Sequence, residues 1–142
     1  MSGRSKRCRV LIADDETIIA DTLAQILNAS GFEAEPVYSG EKAVEVAQYV
    51  RPDAFIADVV MGEMSGIESA VRIKRIMPDC KIILLSGQAA TASLLRNANT
   101  EGHRFEILSK PVHPRVILDM LTEIKIDCQP DAPSSSENER AG

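Results

Sequence analysis

Residues 10–16 read Val-Leu-Ile-Ala-Asp-Asp-Glu, four apolar residues that stop abruptly on three acids. A short apolar run with no polar residue alternating through it suits a strand covered on both faces, as in a parallel sheet. The pattern returns along the chain. Asp53–Asp58 (DAFIAD) is apolar and closes on a carboxylate, and Lys81–Leu85 (KIILL) stops at Ser86-Gly87. Phe105–Leu108 is followed by Ser109-Lys110-Pro111. Phe32–Tyr38 is weaker, and its Pro36 predicts an edge position, because proline cannot donate to a ladder.

Between these runs the apolar residues recur at helical spacing. Ile19, Leu23, Ile26 and Leu27 mark a helix over Glu16–Ala29, stopped by Ser30-Gly31. Gly40–Val50 carries Ala43, Val44 and Ala47 on one side, with Pro52 beyond its end. Residues 59–66, with Gly62 and Gly66, read as a loop, and Ile67–Met77 as a helix ended by Pro78. A small polar helix is expected over Ala89–Asn97, and a last one over His113–Lys125, striped by Val116, Ile117, Met120, Leu121 and Ile124. Five strand–helix units imply a doubly wound α/β fold, since right-handed crossovers lay each helix over a parallel sheet. One domain is expected over residues 9–127, between a flexible basic arm at 1–8 and a disordered tail at 128–142, where PDAPSSSENERAG has almost nothing to bury.

Composition narrows the function. With 44% hydrophobic and 26% charged residues the chain has a globular mix, and no apolar run reaches the roughly 18 residues of a membrane span. The opening MSGRSKRCRV lacks the apolar stretch of a secretory signal, so a cytoplasmic protein without membrane partners is expected. A net charge of −5 argues against nucleic acid; the patch of Arg4, Lys6, Arg7 and Arg9 reads as a solvated arm. Cys8, Cys80 and Cys128 lack the spacing of a zinc site, and Cys8 and Cys80 read as small core-edge residues.

Sites in open parallel sheets form beyond the carboxyl ends of the strands. There the chain places Asp14-Asp15 after strand one, Asp58 after three, Ser86 after four and Lys110 after five, with nothing comparable after strand two. Each has a plain structural role: Asp14 and Asp15 suit a helix cap, Asp58 and Ser86 a turn, Lys110 an exposed position before proline. Singly these are ordinary; together at one rim they form a set. Three carboxylates raise each other's pKa unless a cation compensates, and Mg²⁺, or Mn²⁺ in its place, takes carboxylate oxygens and leaves room for phosphate. A carboxylate so placed can attack a phosphoryl group, whose charge a lysine and a hydroxyl help to neutralise. Asp58, expected to be exposed at its strand end, is the candidate nucleophile.

Across Arg9–Lys125 the chain resembles a two-component response-regulator receiver domain of the stand-alone chemotaxis-regulator type. The motifs that carry the resemblance are VLIADDE at 10–16, DVVMGEMSGIE at 58–68, IILLSG at 82–87 and ILSKP at 107–111. It implies a flavodoxin-like three-layer sandwich with strand order 2-1-3-4-5. It also implies Asp58 as phosphoacceptor, and Asp14, Asp15, Asp58 and the backbone carbonyl of Val60 as Mg²⁺ ligands. Ser86 and Lys110 would meet the phosphoryl group, and the Lys110-Pro111 bond would be cis. The implied partners are a histidine kinase or phosphotransfer protein and a downstream protein the sequence does not name, the chain being a monomer or weak dimer. The chain departs from the family at Gly62, where proline is usual, and at Ile107, where many members carry an aromatic switch. The signal is therefore expected to pass through Ser86, with Phe105 the only nearby aromatic.

The expected role is a signalling module, not an enzyme, with only slow self-phosphorylation and dephosphorylation of its own. A Mg²⁺-dependent phosphatase of haloacid dehalogenase type is the alternative, but it would need an acid two residues after the nucleophile, where Val60 stands. A flavin module would need a phosphate loop after strand one, where three acids would repel it. A degenerate receiver acting only as a binding surface does not fit the intact acid set. The tail after Asp127 suits a stand-alone regulator, or the start of a linker in a longer one.

Overall fold

β1 (Arg9–Ala13) is flanked on one side by β2 (Glu33–Val37) and on the other by β3 (Ala54–Asp58), and the sheet continues through β4 (Lys81–Ser86) to β5 (Glu106–Ser109). All four pairings are parallel, so the order is β2-β1-β3-β4-β5. The computed structural model describes residues 7–87 and 105–128. The arm before Arg7, the expected helix over Ala89–Asn97 and the tail from Pro130 lie outside the described residues.

Four helices are described: α1 (Thr17–Ala29), α2 (Gly40–Val50), α3 (Gly66–Ile76) and α4 (Pro114–Cys128). Strand alternation decides which helix covers which face. Val10, Ile12, Ala54, Ile56, Ile83 and Leu85 pack with α1 and α4 through Leu23, Leu27, Ile117 and Leu121. Leu11, Ala13, Phe55, Ala57, Ile82 and Leu84 pack on the opposite face with α2 and α3 through Ala47, Ala70 and Ile73. β3 is buried at every position, which explains its unbroken apolar run. Pro36 sits in β2, which pairs only with β1, so its missing N–H faces no second neighbour.

Local chemistry sets the boundaries. α2 ends in a left-handed Arg51 (φ 52°), whose N–H donates to Ala47 O at 2.9 Å, and Pro52, which disfavours helical backbone at the residue before it, follows directly. α3 starts at Gly66, capped by Ser65 Oγ, which accepts from Glu68 N at 3.0 Å. Proline at the first position suits the start of α4, which runs three residues past Lys125. Cys8, placed above in the flexible arm, is fully buried, and its carbonyl accepts from Glu33 N at 2.9 Å. Ordered packing therefore begins before β1. Burial pushes the Cys80 thiol up to about 12, so the free side chain rests as a neutral thiol at neutral pH.

Candidate functional site

The register of the central strands brings the acids together. Ala13 lies opposite Ala57, so the residues that follow, Asp14 and Asp58, leave the sheet side by side. Asp14 N still donates to Val37 O at 3.2 Å, and Val59 N to Leu85 O at 3.0 Å, so both acids sit where the ladder gives way to loop. One carboxylate oxygen each from Asp14, Asp15 and Asp58 lies within 4.8 Å of the others. Lys110 Nζ joins them, 3.2 Å from Asp58 Oδ2. Lys110 is held there by its own backbone, whose N–H donates to Ser86 O at 2.8 Å, and its bond to Pro111 is cis. Ser86, one residue past the Leu85 that pairs with Asp58, ends β4 at the same rim.

The capping role open to Asp14 and Asp15 is not what the structure uses. The N-cap of α1 is Glu16, whose own side chain makes no capping hydrogen bond. Asp14 Oδ1 instead accepts from Glu16 N at 3.0 Å, which tightens the turn between strand and helix. Asp14 is 2% exposed, and burial, opposed by that N–H and reinforced by Asp58, holds its carboxyl above the usual carboxylate range. Its Oδ2 is buried with no hydrogen-bond partner. An orphaned anionic oxygen is costly, and Asp14 lies beside two further carboxylates. The residues present fit a hard divalent cation, for which such oxygens are the natural ligands.

Asp58 is less open than its strand-end position implied: it is only 9% exposed and paired with Lys110. A feature that sequence reading missed explains how it is held. A Cβ at Gly66 would overlap the carbonyl oxygen of Asp58 and stand 2.9 Å from its carbonyl carbon. Only glycine lets α3 start this close to the acid, while Gly66 N donates to Val59 O at 2.9 Å and closes the loop between them. The sequence signal was a glycine beside a helix start, which reads equally well as a simple loop residue. Gly62, in the same loop, has φ +32° and open space around it.

Val60 is two residues past Asp58 with its side chain 64% exposed, which leaves its backbone as the part able to serve the site. Ile107 does not join the cluster. It pairs with Leu84, on the α2–α3 face, and is 39% exposed. Phe105, two residues earlier, packs against the core of that face. Next to the site an apolar groove of about 680 Å³ runs between α1 and the start of α4, lined by Ile18, Ile19, Ile26, Pro111 and Pro114. Leu85, Gly87 and Lys110 also line it, so groove and acid site share a wall.

The family model described as the response regulator receiver domain matches residues 10–122. The chain is 31% identical over 117 residues to the chemotaxis protein CheY of Thermotoga maritima, covering 82% of this chain and 96% of that one. It is 35% identical over 118 residues to the response regulator receiver protein CpdR of Brucella abortus, covering 82% and 93%. Among solved structures, the chemotaxis protein CheY4 of Vibrio cholerae superposes with a TM-score of 0.73 at 25% identity, over 84% of this chain and 99% of that one.

Proposed function

The chain belongs to the response regulator receiver domain family of two-component signalling, and from that premise we propose that Asp58 is its phosphoacceptor. Members of the family are signalling proteins rather than classical enzymes, and the phosphatase alternative finds no support. The carrying observation is that Asp58 is paired with Lys110 at 3.2 Å while offering an oxygen within 4.8 Å of Asp14 and Asp15.

Asp14, Asp15, Asp58 and the Val60 carbonyl would hold Mg²⁺ or Mn²⁺. When bound, such an ion offsets the charge of the acids and of phosphoryl oxygens. The chain's own residues do the rest. An oxygen of Asp58 forms a bond to phosphorus as the P–N bond of a donor phosphohistidine breaks, and the imidazole leaves with the electron pair. Lys110 pairs with Asp58 beforehand, and its ammonium meets the phosphoryl oxygens afterwards. The Ser86 hydroxyl donates to one of them, drawing the end of β4 toward the site. Water later cleaves the acyl phosphate, which is slow unless a partner assists.

Receiver domains interact with histidine kinases or phosphotransfer proteins, and the groove beside Lys110 suits such a donor. Its position lets a partner helix bury apolar residues against Ile18 and Ile19 while presenting its histidine over Asp58. Among the described residues no helix is long and apolar enough to cross a membrane. Incubation with acetyl phosphate and Mg²⁺ tests the assignment: acid-labile phosphate is expected on the wild type and none on Asp58→Asn. Equal incorporation by the variant would remove Asp58 from the role.

A further inference from the structure

The loop that follows Asp58 is anchored at its start, where Val59 and Met61 are buried in the core. Val60 is exposed, and a Cβ at Gly62, at φ +32°, would meet nothing within 4 Å. Yet the far end of the loop is pressed against a different helix. A Cβ at Gly40, the first residue of α2, would collide with Ser69 Oγ, stand 2.7 Å from the Met64 carbonyl oxygen and 3.0 Å from Met64 Cβ. Ser69 is fully buried, and its hydroxyl donates to Ser65 O at 2.8 Å, so swinging it aside would break that bond and leave a buried hydroxyl to find another partner.

These contacts join end to end. Gly40 abuts Met64 and Ser69; Ser69 fixes Ser65; Gly66, next in sequence, presses on the carbonyl of Asp58 and ties back to Val59 O at 2.9 Å. We propose that Gly40 is a positioning residue for the acid site: by lying flush against Met64 and Ser69, α2 sets where the loop carrying Val60 and the start of α3 stand relative to Asp58. The inference rests on the reading of Asp58 as phosphoacceptor. Alanine is the better helix former, so at an uncrowded helix position Gly40→Ala would stabilise. Here the added methyl has to move either Ser69 or the Met64 backbone, and the second movement reaches the site.

The test uses the full chain as Gly40→Ala, Ser69→Ala and the two combined. Ser69→Ala removes the hydroxyl the new methyl meets but leaves the Met64 carbonyl in its way. Thermal midpoint, Mg²⁺ affinity by calorimetry and the rate of phosphoryl uptake from acetyl phosphate at saturating Mg²⁺ are read on each. The expected result is that the double variant recovers most of the midpoint lost by Gly40→Ala, while its uptake stays on the order of tenfold below wild type, as displaced reacting groups require. Amide signals of residues 59–65 are expected to shift with it. Uptake that recovers together with the midpoint would overturn the proposal, leaving Gly40 a packing residue only, as would a folded Gly40→Ala with wild-type uptake. If the wild type itself takes no label, the phosphoacceptor reading is what has failed. The amide signals then still decide whether α2 holds the loop: their shift in the double variant supports it, and unchanged signals overturn it.

Discussion

Asp14 and Asp58 are both carboxylates at strand ends, yet their surroundings predict opposite consequences for substitution. Asp58 is paired with Lys110, so Asp58→Asn removes the nucleophile, leaves a neutral partner of equal size and is expected to abolish phosphoryl uptake with the fold intact. Asp14 makes no ion pair like that of Asp58, and its carboxyl is held above the usual range, first by burial, although Lys110 pulls the other way. The folded protein therefore binds that proton more tightly than the unfolded chain does. By linkage, stability is greatest below the ordinary value of 3.8 and is lost as pH rises through the folded value. In excess chelator, Asp14→Asn is expected to raise the melting midpoint at pH 7 and to leave it nearly unchanged at pH 3. A gain of about 1 kcal/mol would appear as roughly 4 °C. Added Mg²⁺ should stabilise the wild type and not the variant. A midpoint at pH 7 that stays put or falls in chelator would show that the buried charge is compensated by a group not identified above.

The junction of β3 and α3 shows how elements position the acid. Ser65 caps α3 through its hydroxyl, and Ser65→Ala is expected to cost about 1 kcal/mol with uptake per folded molecule little changed. Gly66→Ala is different in kind, because its methyl overlaps the backbone of Asp58 itself. A cost of roughly 1–3 kcal/mol, typical of overpacking, is expected together with a large loss of uptake. Measuring midpoint and uptake on both variants separates the two. If Gly66→Ala lost only stability, the close approach would matter to packing and not to chemistry. At the other edge, β5 leaves Ile107 part-exposed, while Phe105 packs against the core. A β-branched side chain with no hydroxyl has little to report by changing rotamer. Amide shifts on adding beryllofluoride are therefore expected to centre on Ser86 and to vanish in Ser86→Ala. Shifts that persist there and disappear in Phe105→Leu would place the switch on the aromatic.

At the scale of the molecule, the groove beside the site separates two sources of phosphate. Ile18 is 78% exposed on its rim and touches neither acid nor lysine in the proposed chemistry. Ile18→Glu is expected to leave uptake from acetyl phosphate unchanged while slowing transfer from a phosphorylated histidine kinase about tenfold or more. Equal slowing of both would mean that the residue shapes the site and not the docking. Most of the architecture was legible before any coordinates, because β1, β3 and β4 are covered on both faces and so must be continuous apolar runs closed by polar residues. Their order of types, strand then helix, compels a parallel sheet, and the acids, Ser86 and Lys110 fall at its rim as a consequence of chain direction alone. Contacts between elements distant in sequence were not legible. Nothing local distinguishes Gly66, whose missing side chain admits the Asp58 carbonyl, from Gly62, which meets nothing. Nothing local shows that Asp58 is nearly buried, that Asp14 Oδ2 lacks a partner, or that Gly40 abuts Met64 and Ser69. Apolar period and chain polarity are written residue by residue, so they survive in one dimension. Close approach and desolvation depend on which surfaces meet once the helices are laid over the sheet, and only the folded chain decides that.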